Sequence, residues 1–234
     1  MTFRTDQEIV ALAQRALAKL SPPRAAILAA LIPLVGLEVG DAAFQAKVYR
    51  HDHPSRRAAL ARAQSSCALV REGALEDAGL HDARIDLGAD VRAVRGGLLY
   101  PVSLEMQIAR EKGALRTPDP KRRDLPLEGD GLIIGCSSGR GVWGKGGFGG
   151  EHMATVVAVD GQVSGSAFEV DTIDGGQPGI HGRTRALVWC GPRGDELWAA
   201  TLADDGSYVF DPADMRPTKG RRVLAWTDAE ALLS

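Results

Sequence analysis

Residues 151–159, Glu151-His152-Met153-Ala154-Thr155-Val156-Val157-Ala158-Val159, form the most regular strand-like run in the chain. Met153, Thr155, Val157 and Val159 fall on one side of a period-two pattern, the mark of a half-buried strand. Asp160-Gly161 offers a turn, and Ser166 to Ile173 reads as the returning strand. The extended period begins near Leu127, where Gly129-Asp130 introduces the short buried strand Leu132-Ile133-Ile134. It continues through predicted strands at 186–190, 197–202, 208–210 and 222–226, separated by Gly-Pro-Arg-Gly-Asp and Asp-Asp-Gly turns.

Helical spacing dominates before that point. Thr5-Asp6-Gln7-Glu8 is a capping box, and Ile9, Leu12, Ala13, Ala16, Leu17 and Leu20 follow on one face until Ser21-Pro22-Pro23 stops them. A second helix is expected from about Pro23 to Val39, apolar nearly all round. A further one is expected from Pro101 to Lys112, with Gly113 as its stop. Helices first and strands later predict an α+β fold rather than alternating βαβ units. Residues 1–55 are then a helical segment packed on a core formed by 56–234, and Thr227-Asp228-Ala229-Glu230 caps a last short helix.

Chemistry centres on Ser65-Ser66-Cys67-Ala68-Leu69-Val70. A cysteine just after two helix-capping serines would meet unpaired backbone N–H groups and the positive end of the helix dipole, which favour thiolate. Leu60, Ala63, Cys67, Val70 and Ala74 also recur at spacings of three and four. One unbroken helix from about Arg56 to Gly79 would bury Cys67 as an inert small hydrophobe. What favours a nucleophile is His152 at the mouth of its strand, as a base would be placed. Across the hairpin, a connection centred on residue 163 sets Asp174 opposite His152, and a tighter one sets Asp171 there. Either carboxylate would fix the imidazole tautomer and stabilise its cation.

Composition excludes several other roles. The 234 residues carry 28 basic and 30 acidic side chains, a formal charge of −2, so no field holds nucleic acid or an anionic membrane. The three cysteines, Cys67, Cys136 and Cys190, lie far apart with no C-x-x-C, which suits a reduced compartment or a thiol used for chemistry and gives no zinc site. His51 and His53 lack a third ligand nearby, so no metal or cofactor is expected. Residues 1–10 show no signal-peptide core, and the apolar stretch from Ala25 to Leu37 is too short to span a bilayer. A soluble protein is expected, without integral membrane association and cytoplasmic as synthesised, with delivery outside by a non-classical route left open.

Two motifs in the glycine-rich stretch mislead. Gly139-Arg140-Gly141-Val142-Trp143-Gly144-Lys145 has phosphate-loop spacing, but Gly146 stands where a Ser or Thr would bind magnesium. Gly135-Cys136-Ser137-Ser138-Gly139 matches G-x-S-x-G, and Asp171 or Asp174 and His181 follow in hydrolase order, which makes a serine hydrolase using Ser137 the enzymatic rival. A nucleophile elbow must turn straight into a helix, whereas this stretch runs on into glycines.

Ser65-Ser66-Cys67 at a helix start, Gly129-Asp130 before an apolar strand and Glu151-His152 opening the next together resemble the NlpC-type and CHAP-type papain-like cysteine peptidases and amidases, over about Gln64 to Gln177. Relative to that family, the spacer from Cys67 to Gly129 holds an additional helix, and Ala68-Leu69 stand where an aromatic follows the cysteine. The resemblance implies a papain-like core with N-terminal helices followed by an antiparallel β-meander. It also implies amide hydrolysis, of peptidoglycan stem peptides or a related peptide, with Cys67 as nucleophile, His152 as base and then acid, and Asp174 as orienting group. Ser66, Gln64, Asp171 and Gln177 are the oxyanion or supporting residues on this reading. A non-catalytic binding or assembly module with a buried cysteine is the non-enzymatic alternative.

Overall fold

A computed structural model describes residues 4–48, 67–80, 101–135, 152–164, 167–175, 179–203 and 207–234. Helix α1 (Asp6–Leu17) begins at the predicted capping box: the Thr5 hydroxyl accepts from the Glu8 N–H, and the Glu8 carboxylate accepts the Thr5 N–H at 2.7 Å. Helix α2 (Pro22–Leu31) is shorter than expected and tightens into a 3-10 turn at Ile32–Leu34. Pro33 cannot supply the next helical N–H, and Gly36, at φ +89°, turns the chain away. Helices α3 (Ala42–Val48), α4 (Cys67–Asp77) and α5 (Pro101–Glu111) follow, and Gly113 at φ +69° ends the last of these where the sequence predicts a stop.

The strands are β1 (Leu115–Arg116), β2 (Gly131–Ile134), β3 (His152–Ser164), β4 (Ala167–Gly175), β5 (Ile180–Cys190), β6 (Glu196–Thr201) and β7 (Gly220–Thr227), before a short helix α6 (Ala229–Leu233). All pair antiparallel, in the order β1-β7-β2-β3-β4-β5-β6, with β6 returning to β7. Strand β7 bonds to β2 through Leu132↔Trp226 and to β6 through Trp198↔Arg222, so six strands close into a barrel. The expected papain-like α+β core, N-terminal helices followed by an antiparallel meander, is therefore corrected to a closed six-stranded antiparallel β-barrel with few helices outside it. A meander leaves two strand edges with unpaired N–H and C=O groups. Here β7 satisfies both, aided by a register shift between Ile133 and Ile134.

The barrel interior is one apolar cluster drawn from all six strands: Leu132 and Ile134, Val156, Val170, Leu187 and Trp189, Leu197 and Ala199, Val223 and Trp226. A second cluster lies outside the barrel wall. Ile9 and Ala13 of α1, Ile27, Leu28 and Leu31 of α2, and Val70 and Leu75 of α4 pack there with Val157, Ile173 and Ile180. The alternation of β3 explains the division: Val156 faces inward and Val157 outward onto the helices. Among the described residues, no helix is long and apolar enough to cross a membrane.

Strand β3 runs through Asp160-Gly161 to Ser164 instead of turning there, and register shifts along β3 displace the pairing. That displacement decides which side chains meet.

Candidate active site

Three elements converge at one end of the barrel. Cys67 is the first described residue of α4, 2% exposed, in a small cluster with Ala68, Met106, Ile133, Met153 and Ala225. Gly175, the last residue of β4, makes room for it: a Cβ there would stand 3.0 Å from the Cys67 Cα and 2.7 Å from a Val70 methyl. His152 opens β3, with Ile134 of β2 as its pairing partner, on the inward-facing side of the strand.

Asp174 is the pairing partner of Ala154, two residues beyond the position expected from the hairpin centre, because β3 extends to Ser164, paired with Ala167, and the register shifts along β3 offset only part of that extension. His152 and Asp174 are thus diagonal neighbours on one face. His152 Nε2 lies 2.6 Å from Asp174 Oδ2, which leaves Nδ1 as the ring atom for the thiol. Asp171 pairs with Ala158 and points from the other face of β4, where it accepts from the Thr184 hydroxyl at 2.7 Å and pairs with Arg4. Of the two candidate carboxylates, Asp174 is the one that reaches His152.

Two further side chains hold Asp174. Arg185 of β5 donates from Nη2 to Oδ2 at 2.5 Å and from Nη1 to Oδ1 at 3.1 Å. The Thr172 hydroxyl donates to Oδ1 at 2.6 Å and itself accepts from Arg185 Nη1. Arg183, half-exposed, has its Nε 3.8 Å from Oδ2. Neither Arg185 nor Thr172 stands out from sequence motifs. The one available signal is that Arg185 alternates with Leu187 and Trp189, so it falls on an inward, apolar face where an arginine needs a buried partner.

The electrostatics follow from these contacts. Burial disfavours the Asp174 carboxylate, yet the Arg185 guanidinium and His152 overcome it and hold the group well below the usual carboxylate range. For His152, burial opposes the cation, but the charge and hydrogen bond of Asp174, then the hydrogen bond and charge of Cys67, raise the imidazole to about 9. Cys67 is thus a hydrogen-bonding partner of His152, and the surroundings of the ring favour its protonated form. Cys190 is the contrast: burial, and then the charge of Glu196, push its thiol up to about 12.

Gln64, Ser65 and Ser66, the glycine-rich stretch with Cys136 and Ser137, Gln177, and His51 and His53 lie outside the described residues. For the serine-hydrolase rival, His181 sits 3.0 Å from Asp6 of α1, Asp171 serves Arg4, and Asp174 serves His152. Asp130 of the Gly-Asp motif has a scaffold position: it pairs with Arg24 at 2.8 Å and accepts the Ala229 N–H at 2.9 Å, joining α2 to α6. Among the described residues, no group of His, Cys, Asp and Glu is arranged to hold a metal ion.

Comparison of the chain with protein-family models, curated proteins and solved structures finds no match.

Proposed function

We propose that this chain is a cysteine peptidase or amidase, akin in its motifs to the NlpC-type and CHAP-type enzymes, that hydrolyses an amide bond through Cys67, His152 and Asp174. The observation that carries the reading is the imidazole held between a buried carboxylate at 2.6 Å and a cysteine side chain. That arrangement maintains a thiolate–imidazolium pair, the attacking form of a cysteine nucleophile.

In this mechanism the Cys67 thiolate attacks the amide carbonyl carbon, and the C–S bond forms as the carbonyl electron pair moves to oxygen. Collapse of that adduct breaks the C–N bond while His152 gives its Nδ1 proton to the departing nitrogen. The neutral imidazole then takes a proton from water as the water oxygen attacks the thioester. Breaking the C–S bond releases the carboxylic acid product and restores thiolate and imidazolium. Asp174 keeps the ring oriented and its cation stabilised throughout. A peptide of the peptidoglycan stem kind is the proposed substrate, and a protein cytoplasmic as synthesised is the proposed setting.

The burial of Cys67, 2% exposed, favours a second reading, a binding or assembly module with an inaccessible thiol. Iodoacetamide at pH 7 separates the two, because an activated thiolate alkylates ahead of Cys136 and Cys190 whereas a sequestered one does not. The main test is digestion of purified peptidoglycan and a panel of peptide and isopeptide substrates, read by mass spectrometry. Cys67→Ala and His152→Ala should each cost about 10^4-fold or more with the fold intact. Asp174→Asn should leave measurable turnover, and Ser137→Ala should leave it unchanged. Turnover surviving in Cys67→Ala would end the proposal.

A further inference from the structure

We propose that Arg185 is a positioning residue of this site, its guanidinium clamping Asp174 from within the barrel so that one carboxylate oxygen is presented to His152 and shared between two cations. The inference rests on the function proposed above. An arginine on the inward face of a barrel strand is costly unless paired, and Arg185, 8% exposed, spends both terminal nitrogens on one carboxylate and its neighbouring hydroxyl. The fork fixes the plane of the Asp174 carboxyl group, and the Thr172 hydroxyl closes the remaining side of Oδ1. What is left for His152 is Oδ2, in one direction.

The same oxygen takes the imidazole at 2.6 Å and the guanidinium at 2.5 Å, so the two cations lie no more than about 5 Å apart. At that separation a charge shifts a neighbouring titration by about one unit or more. Arg185 therefore sets how much of the Asp174 charge His152 feels. Without it the imidazole would bind its proton too tightly to release it to the leaving nitrogen. Among the described residues, the charged and titratable groups facing the imidazole are Asp174 of β4, Cys67 of α4, and Arg185 and Arg183 of β5. His181, the pairing partner of Asp174, is turned to Asp6 and Glu38.

The test is the His152 titration followed by NMR of the imidazole in the full chain, assigned by comparison with His152→Ala. Arg185→Gln should raise the His152 titration by about one unit or more, because a nearby cation is removed. Asp174→Asn should give the lowest value, since it leaves Arg185 facing the ring unneutralised. The double variant Asp174→Asn, Arg185→Gln should fall between Asp174→Asn and the native protein. Should Arg185→Gln fail to fold, the comparison of Asp174→Asn with the double variant still decides, because the double variant strands no buried charge. Arg185→Lys should keep the native titration while lowering kcat through loss of the fork. On a cleaved substrate, Arg185→Gln should lower kcat about 10-fold or more with KM unchanged.

Coincident titrations of the native protein and Arg185→Gln, or of Asp174→Asn and the double variant, would overturn the clamp. So would a KM change at constant kcat, which would make Arg185 a substrate-binding group. If no substrate is cleaved yet the titration order holds, the function proposal fails while the clamp stands.

Discussion

Replacing Arg71 with methionine should destabilise the protein by about 4 kcal/mol at pH 7, for a reason that depends on pH. Arg71 lies one helical turn after Cys67 on α4 and is 1% exposed. It donates to Glu105 Oε1 at 2.9 Å, the Gly129 carbonyl at 3.0 Å, the Thr155 hydroxyl at 3.1 Å and the Thr227 hydroxyl at 3.3 Å. One guanidinium thus joins the cysteine helix to α5, the Gly129 turn, β3 and β7. Gly131 admits it, since a Cβ there would lie 2.4 Å from Arg71 Nε. Without Arg71, the Glu105 carboxyl is left buried with the Thr227 hydroxyl, at 2.6 Å, as its one remaining bonded partner among the described residues.

A carboxyl stranded in this way neutralises by taking a proton. Doing so at pH 7 against a solution value of about 4.3 costs roughly 4 kcal/mol, at about 1.4 kcal/mol per pH unit. The figure agrees with the roughly 3–5 kcal/mol typical of breaking one side of a buried ion pair. In urea, with a slope of about 2 kcal/mol per molar, the midpoint should fall by about 2 M. At pH 5 the deficit should shrink by nearly 3 kcal/mol, because the proton is then more readily available. The double variant Arg71→Met, Glu105→Leu should recover most of the loss. A single-variant cost under about 1 kcal/mol, equal at the two pH values, would refute the reasoning.

Three other outcomes are expected. Gly175→Ala should destabilise by about 1–3 kcal/mol and slow Cys67 alkylation, because the added methyl would press on Val70 and the Cys67 backbone; calorimetry and thiol labelling check this, and native alkylation would count against the packing described. The His152 imidazole rises from 6.5 to about 9 on folding, so its stabilisation, at most about 3 kcal/mol and shared with Asp174, is complete below about pH 6.5 and lost as pH climbs through 9. Urea titrations at pH 6 and 9.5 should show that loss in the native protein and not in His152→Ala. Deleting residues 1–48 strips Ile9, Ile27, Leu28 and Leu31 from the core shared with Val157, Ile173 and Ile180, and should give an aggregating fragment. A soluble, cooperatively unfolding fragment would show that the barrel does not need the helices.

Local chemistry was legible in the sequence. The Thr5–Glu8 box, the stop at Gly113 and the strand opening at His152 are each settled within a few residues, by capping, a helix-ending glycine or a two-residue period, and the structure has them there, while α2 starts at Pro22, one residue before the expected Pro23. The residue types of the site, a cysteine, a histidine and an aspartate near apolar strands, were legible for the same reason. Barrel closure was not, because it depends on β7 meeting β2 some 90 residues earlier, and no local pattern specifies which distant edges pair. The partner of His152 depended on bulges that shift β3 against β4, which an alternation of apolar residues does not reveal. No motif in the chain marks Arg71 or Arg185; burial in the tertiary structure makes one the anchor of the cysteine helix and the other a clamp on Asp174, since a charge shut away from water must find its partner within the fold.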